Sequence, residues 1–200
     1  MAITKISNSG IKTAGNLKYD SMLAGNDPGG TFLIQRVNGT GSSATITFSN
    51  IPSTYQHLQI RYLANSGRAV NGQESIFVRL NGDSGTNYAR HFLLGDGTSA
   101  SASGNASQTA AVVVAACGLD APTMSVGVID IHDYSSTTKN KTIRSFVGVD
   151  FNSGTTESRV FLNSALWMNT AAVSSISFTT NTGSNWTTAT TFALYGFIGA

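Results

Sequence analysis

The chain has 200 residues, of which 11% are charged, with a net charge of +2; Ser, Thr, Gly and Asn together fill 86 positions. Such a chain is long enough to bury its own core, and its aromatic share of 9% is unlike the charged, aromatic-poor composition of disordered segments. Twelve scattered basic residues against ten acidic ones leave no nucleic-acid footprint.

No apolar run approaches the roughly 20 residues of a membrane helix, so no membrane insertion is expected. Residues 1–30 lack the apolar core of a secretory signal. The single cysteine, Cys117, excludes an intramolecular disulfide framework. The expectation is a chain that folds in a reducing cytoplasm.

In residues 1–30 the apolar side chains Ile3, Ile6, Ile11, Leu17, Met22 and Leu23 are spaced singly among Ser, Asn, Gly and Lys, and Asp27-Pro28-Gly29-Gly30 follows. The spacing is too sparse for a core helix and too broken for a strand, and the tetrapeptide supplies a joint. Residues 1–30 therefore read as an arm and joint, and 31–200 as a domain. A frayed terminus is one account of the arm; ordering on a neighbouring subunit is the other, which the evenly spread apolar anchors favour.

From Thr31 onward, short runs of period two alternate with Gly, Asn, Asp and Ser, the pattern of strands and turns. Strands are expected at Thr31–Asn38, Ala44–Asn50, Gln56–Ala64, Ser75–Leu80, Asn87–Leu94, Gln108–Ala116, Thr123–His132, Thr142–Phe151, Ser158–Met168, Val173–Thr179 and Thr190–Ile198. Asn81-Gly82 is a strong hairpin signal between the fourth and fifth. Thr98–Ser107, made of small residues, reads as an exposed loop. Eleven strands without a helical period imply an all-β, jelly-roll-like antiparallel β-sandwich with an extended N-terminal arm.

Between Val160 and Ala200 there is no Asp, Glu, Lys or Arg, and Gly97–Leu119 is also uncharged. Exposed strand edges are normally guarded by charge, so these stretches are expected to be covered. Either the sheet encloses them, or identical neighbours do, with Phe161, Trp167, Phe192, Tyr195 and Phe197 as candidate oligomer-interface residues.

Chemistry-bearing patterns are few. Gly82-Asp83-Ser84-Gly85 matches a serine-protease nucleophile tetrapeptide, which needs a His base and an Asp to orient it; His57 lacks that context, and a hairpin loop explains all four residues. Asp130, His132 and Asp133 are the densest group of possible metal ligands, but no second cluster completes a set, so a polar strand end is expected and no metal or cofactor. Cys117 has no charged neighbour to favour a thiolate. The Asn-x-Ser/Thr sequons at Asn38, Asn105, Asn140 and Asn185 carry no weight without a secretory signal. For sugar binding, an exposed Trp186 in the Asn181–Thr187 loop would serve as a stacking platform, and Tyr88, Arg90 and His91 form a second polar-aromatic group.

Three patches carry a resemblance. Met1–Asn26, with Ile3-Thr-Lys-Ile6-Ser-Asn-Ser-Gly10-Ile11-Lys12 and Leu17-Lys18-Tyr19-Asp20-Ser21-Met22-Leu23-Ala24-Gly25, resembles the leader of tailed-bacteriophage virion proteins. Phe48-Ser-Asn-Ile51-Pro52-Ser-Thr-Tyr55-Gln-His-Leu58-Gln-Ile60-Arg61 and Phe192-Ala-Leu194-Tyr195-Gly196-Phe197-Ile198-Gly199-Ala200 resemble stretches of small phage structural proteins. Together they span about a third of the chain.

The resemblance implies a non-enzymatic virion protein, commonly a homotrimer, assembled in the bacterial cytoplasm. One form is a capsid cement or decoration protein that stabilises the shell of the major capsid protein, or binds another virion protein, through arm residues Ile3, Ile6, Ile11, Leu17, Tyr19, Met22 and Leu23. The alternative is a tail fibre or receptor-binding protein that recognises a host glycan. The absence of a long repetitive shaft and the short arm favour the shell.

Overall fold

The computed structural model describes residues 30–69, 72–117, 123–151 and 158–198. The proposed arm residues Ile3, Ile6, Ile11, Leu17, Tyr19, Met22 and Leu23 lie outside these.

Twelve strands form the described regular structure: β1 (Thr31–Asn38), β2 (Thr45–Phe48), β3 (His57–Ala64), β4 (Gln73–Leu80), β5 (Tyr88–Gly95), β6 (Ala100–Gln108), β7 (Ala111–Cys117), β8 (Ser125–Ile131), β9 (Lys141–Val149), β10 (Arg159–Trp167), β11 (Ile176–Thr180) and β12 (Thr191–Phe197). They make two antiparallel sheets, one in the order β1-β12-β3-β8-β9-β10-β5-β6 and the other β2-β11-β4-β7. Setting aside β5, β6, β9 and β10 leaves two four-stranded sheets in which the chain closes on itself from both ends. β1 pairs with β12, β2 with β11, β3 with β8 and β4 with β7. That is the strand order of a jelly roll. The β5–β6 and β9–β10 pairs are insertions that widen one sheet.

Strict alternation builds the core. Leu58, Ile60, Tyr62 and Ala64 of β3 are buried, as are Ile76, Val78 and Leu80 of β4, because successive strand side chains face opposite ways. At the centre Phe192 of β12 lies 4.6 Å from the ring of Phe178 on β11, 5.1 Å from Tyr62 on β3 and 5.4 Å from Trp186. Phe178 in turn meets Phe48 of β2 at 5.8 Å. Phe192 thus joins both sheets and the last connection.

Two buried charges pin the loops. Glu74 accepts hydrogen bonds from the backbone N–H (3.1 Å) and hydroxyl (2.5 Å) of Thr182. The Lys141 ammonium donates to the carbonyls of Ser136 (2.8 Å), Lys139 (2.6 Å) and Thr170 (3.2 Å), tying the β8–β9 and β10–β11 connections together. Burial draws the Lys141 pKa below the usual lysine value, opposed by the Asp133 charge.

Two expectations need correction. Residues 100–108 are not a loop: they form edge strand β6, paired with β5 from Tyr88↔Gln108 to Gly95↔Ala100. The run is exposed on both faces, so it has no apolar alternation to reveal it. Asn81-Gly82 does turn the chain, with φ of 52° and 69° and a bond from the Asp83 N–H to the Leu80 carbonyl at 3.0 Å. However, β4 and β5 lie in different sheets, so the turn opens a crossover and not a hairpin.

Replacing Phe192 with Ala should cost about 3–5 kcal/mol, the range for an aromatic deleted from a core. Urea unfolding followed by tryptophan fluorescence measures it; a loss below 1 kcal/mol would show that the two sheets do not depend on this contact.

Candidate functional site

The described surface that departs most from ordinary is the outer face of the eight-stranded sheet. Registers place its side chains in rows across the strands. One row runs Gln59, Asp130, Arg144, Ser164, His91, Gly104; the next Arg61, Val128, Phe146, Leu162, Leu93, Ala102; the third Leu63, Val126, Gly148, Val160, Gly95. The first is polar and the other two are largely apolar. Phe146 is 61% exposed and Leu93 53%, and Leu63, Val126, Val160 and Leu162 are each between 44% and 51%.

The outer face of the smaller sheet is the contrast. There Thr45, Thr47, Ser177 and Thr179 stand on adjoining strands, with the Thr45 and Thr179 hydroxyls 3.3 Å apart. The β2–β11 half of this face is thus made of hydroxyls, while β4 and β7 add Arg79, Phe77 and Val112.

Charges and recesses frame the apolar rows. On one side Asp130 accepts from Arg144 Nη2 at 2.8 Å and from Gln59 Nε2 at 2.9 Å. Burial alone would raise its pKa, but these two hydrogen bonds outweigh it and hold the carboxyl below the usual value. Arg61 bonds Gln59 Oε1 at 2.9 Å and lies over the Tyr195 ring at 5.6 Å. A recess of about 370 Å³ here is lined by His91, Leu93, Thr142, Arg144, Leu162 and Ser164, among others. At the opposite end a recess of about 890 Å³ takes in Gly95, Val126, Gly148 and Val160, with Asp96, Asp150 and Arg159 at its border.

The residues singled out from sequence fall elsewhere. Phe161, Trp167 and Phe192 are at most 2% exposed and sit in the chain's own core, so they are not available to a neighbouring subunit. Tyr195 and Phe197 are half-buried. The reason is topological: β10, β11 and β12 are all internal strands, so charge is not needed to guard them.

Trp186 is fully buried. Its indole N–H donates to the Phe178 carbonyl at 3.3 Å, which removes it as a stacking platform. Tyr88 is buried while His91 lies on the outer face, so that polar-aromatic group is split between the two sides of β5.

Asp130, His132 and Asp133 also go separate ways. His132 packs against His57 with centroids 4.6 Å apart and ring planes tilted by 55°, and the Asp133 N–H donates to His57 Nδ1 at 3.1 Å. Lys139 lies 2.7 Å from the Asp133 carboxylate, and this hydrogen bond and charge hold its pKa down. Among the described residues no group of three or more His, Cys, Asp or Glu could hold a metal ion. Cys117 ends β7; its side chain is outside the described set.

The Gly82–Gly85 tetrapeptide is a structural corner. The Asp83 carboxylate accepts from the Trp167 indole N–H (2.7 Å), the Asn87 amide (2.9 Å) and the Gly85 backbone (2.8 Å). These bonds, Trp167 first, lower its pKa. Beside it the Tyr88 hydroxyl accepts the Leu80 N–H at 3.0 Å and donates to the Asp83 carbonyl at 3.3 Å; burial pushes the phenol up to about 12.

What sequence reasoning missed is the apolar outer face. The available signal was adjacent apolar pairs, such as Phe146-Val147, Val160-Phe161 and Leu93-Leu94, which put one apolar side chain on each face of a strand. No family model, curated protein or solved structure matches the chain, and no helix among the described residues is long and apolar enough to cross a membrane.

The corner makes a pH prediction. The folded pKa of Asp83 lies below the usual aspartate value, so its stabilisation is present above about pH 4 and is lost as pH falls through the folded value. Asp83→Asn should flatten that part of the stability-against-pH curve below pH 4; an unchanged acid slope by chemical denaturation would contradict the role given to Asp83.

Proposed function

We propose that this protein is a non-enzymatic structural component of a phage virion, a capsid cement or decoration protein that reinforces the shell of the major capsid protein. The observation that supports the reading is the outer face of the large sheet. It is broad and regular, with two largely apolar rows beside a polar one, and it suits contact with another protein surface more than enclosure of a small substrate. Reinforcement of a shell calls for apolar area removed from water at many equivalent positions, and a sandwich widened by two strand pairs provides such area on rigid elements.

In this reading residues 1–27 attach the protein to the particle. Ile3, Ile6, Ile11, Leu17, Tyr19, Met22 and Leu23 would fill neighbouring grooves, each fully buried side chain contributing about 1.5–3 kcal/mol before the cost of ordering the arm. Lys5, Lys12 and Lys18 would meet an acidic shell surface. The sandwich would self-associate and would lie over joints between shell subunits.

Deletion of residues 1–27 should leave a folded sandwich that no longer co-sediments with particles, and gold-labelled antibody should mark the whole head of intact particles. Label confined to the tail would overturn the shell assignment, and unchanged co-sedimentation of the truncated protein would overturn the role of the arm. Because Trp186 is buried, its replacement should act on stability and not on affinity for sugars.

A further inference from the structure

We infer that the outer face of the large sheet closes against the same face of a second copy of this chain, with Phe146 of each copy seated over Gly148 of the other. The inference rests on reading this face as an assembly surface, and it names the occupant.

Shape is the first argument. Phe146, the most exposed of the large apolar side chains, stands two residues from Gly148 on the same face of β9. Gly148 offers no side chain, and a Cβ built there would meet nothing within 4 Å. Val126 and Val160 flank it, and all three line the recess of about 890 Å³. A knob and a hole thus sit side by side on one strand, as a self-complementary interface requires.

Symmetry and charge give the second argument. A two-fold axis in the plane of the interface, parallel to the rows and crossing β9 at Val147, exchanges the two apolar rows. It lays Phe146 on Gly148, Leu93 on Gly95 and Leu162 on Val160, each larger side chain on a smaller one, with Val128 on Val126 and the stem of Arg61 on Leu63. The same operation carries Arg144, three residues before Val147, over Asp150, three residues after it. Both of these side chains are exposed. Arg144 of each copy, already bonded to its own Asp130, therefore faces a carboxylate of the other. A rotation about the strand direction would bring Arg144 against Arg144, so charge selects the first arrangement.

Area is the third. The six exposed apolar side chains amount to roughly 500 Å² per copy, and a standard interface of about 800 Å² per partner is a little over half apolar. The face is thus of the right size for a stable dimer, and its backbone is already fixed by hydrogen bonds on both sides of each internal strand, which keeps the ordering cost of association low.

Sedimentation equilibrium on the full chain tests this. The expected mass is two chains. Phe146→Ser and Gly148→Phe should each weaken self-association at least about thirtyfold, as loss of a central anchor does, with unchanged circular dichroism. Phe146 is solvent-facing and Gly148 has room for a side chain without a positive φ, so both variants should fold. Thr47→Asn, at an exposed position on the outer face of the smaller sheet, should leave the mass at two chains.

A wild-type mass of one or three chains, or a dimer that survives both substitutions, would overturn the inference. Co-sedimentation with particles separates it from the virion reading. A dimer that ignores particles sinks that reading alone, and a monomer that binds them sinks this inference alone.

Discussion

The position of Phe192 ties the architecture together. A jelly roll has to hold two sheets face to face although each strand is bonded only within its own sheet. The Phe192 ring projects from β12 in the large sheet and meets Phe178 of the small one, while Tyr62 and Trp186 close its sides. Because β12 lies between β1 and β3, and β11 between β2 and β4, this contact fixes four neighbouring strands through their ladders. The uncharged C-terminal fifth of the chain follows from the same placement. Its strands are internal, so the sequence there answers to packing and to hydroxyl or amide hydrogen bonds.

The two inserted strand pairs change what the roll can present. A jelly roll with four strands in each sheet has two outer faces of similar width. Here β9, β10, β5 and β6 extend one sheet alone, and β7 of the other sheet packs beneath β8, β9, β10 and β5. The inner face of the extension is supplied with a core, and its outer face is left broad, regular and rich in apolar side chains. The corner at Asp83, Tyr88 and Trp167 makes the extension rigid, since it fastens the β4–β5 crossover to β10 through the indole of Trp167. The broad outer face results from this order of causes, in which an insertion widens the sheet and a buried corner holds it.

Alternation revealed eleven of the twelve strands because each has one face against the core. β6 escaped because a strand exposed on both sides has no reason to alternate, and its Ser, Ala, Gly and Asn residues look like a loop until a partner strand supplies hydrogen bonds. The candidate site was less legible. Trp186 sits in a polar loop, and sequence could not show that the loop folds back to place the indole under Phe178. Phe161, Trp167 and Phe192 were noticed as unguarded aromatics, yet whether such residues meet a neighbour or their own core depends on which strands become internal. Phe146 passed unremarked among the core residues of its strand, since a run apolar on both faces does not say which face is inner.

Local chemistry determined what sequence alone could decide: an all-β chain, strands where period two persists, turns at Asn-Gly and Asp-Gly, and no cysteine framework. These depend on backbone preference and on the burial of one face, both of which leave a periodic trace. Strand order, the insertion of two strand pairs into one sheet and the exposure of a particular apolar face depend on contacts between residues far apart in the chain. Asn81-Gly82 shows the division. Its backbone conformation was written in two residues, but whether the strand that follows returns alongside β4 or crosses to the other sheet depends on contacts such as the bond from Trp167 to Asp83, 84 residues away in the chain.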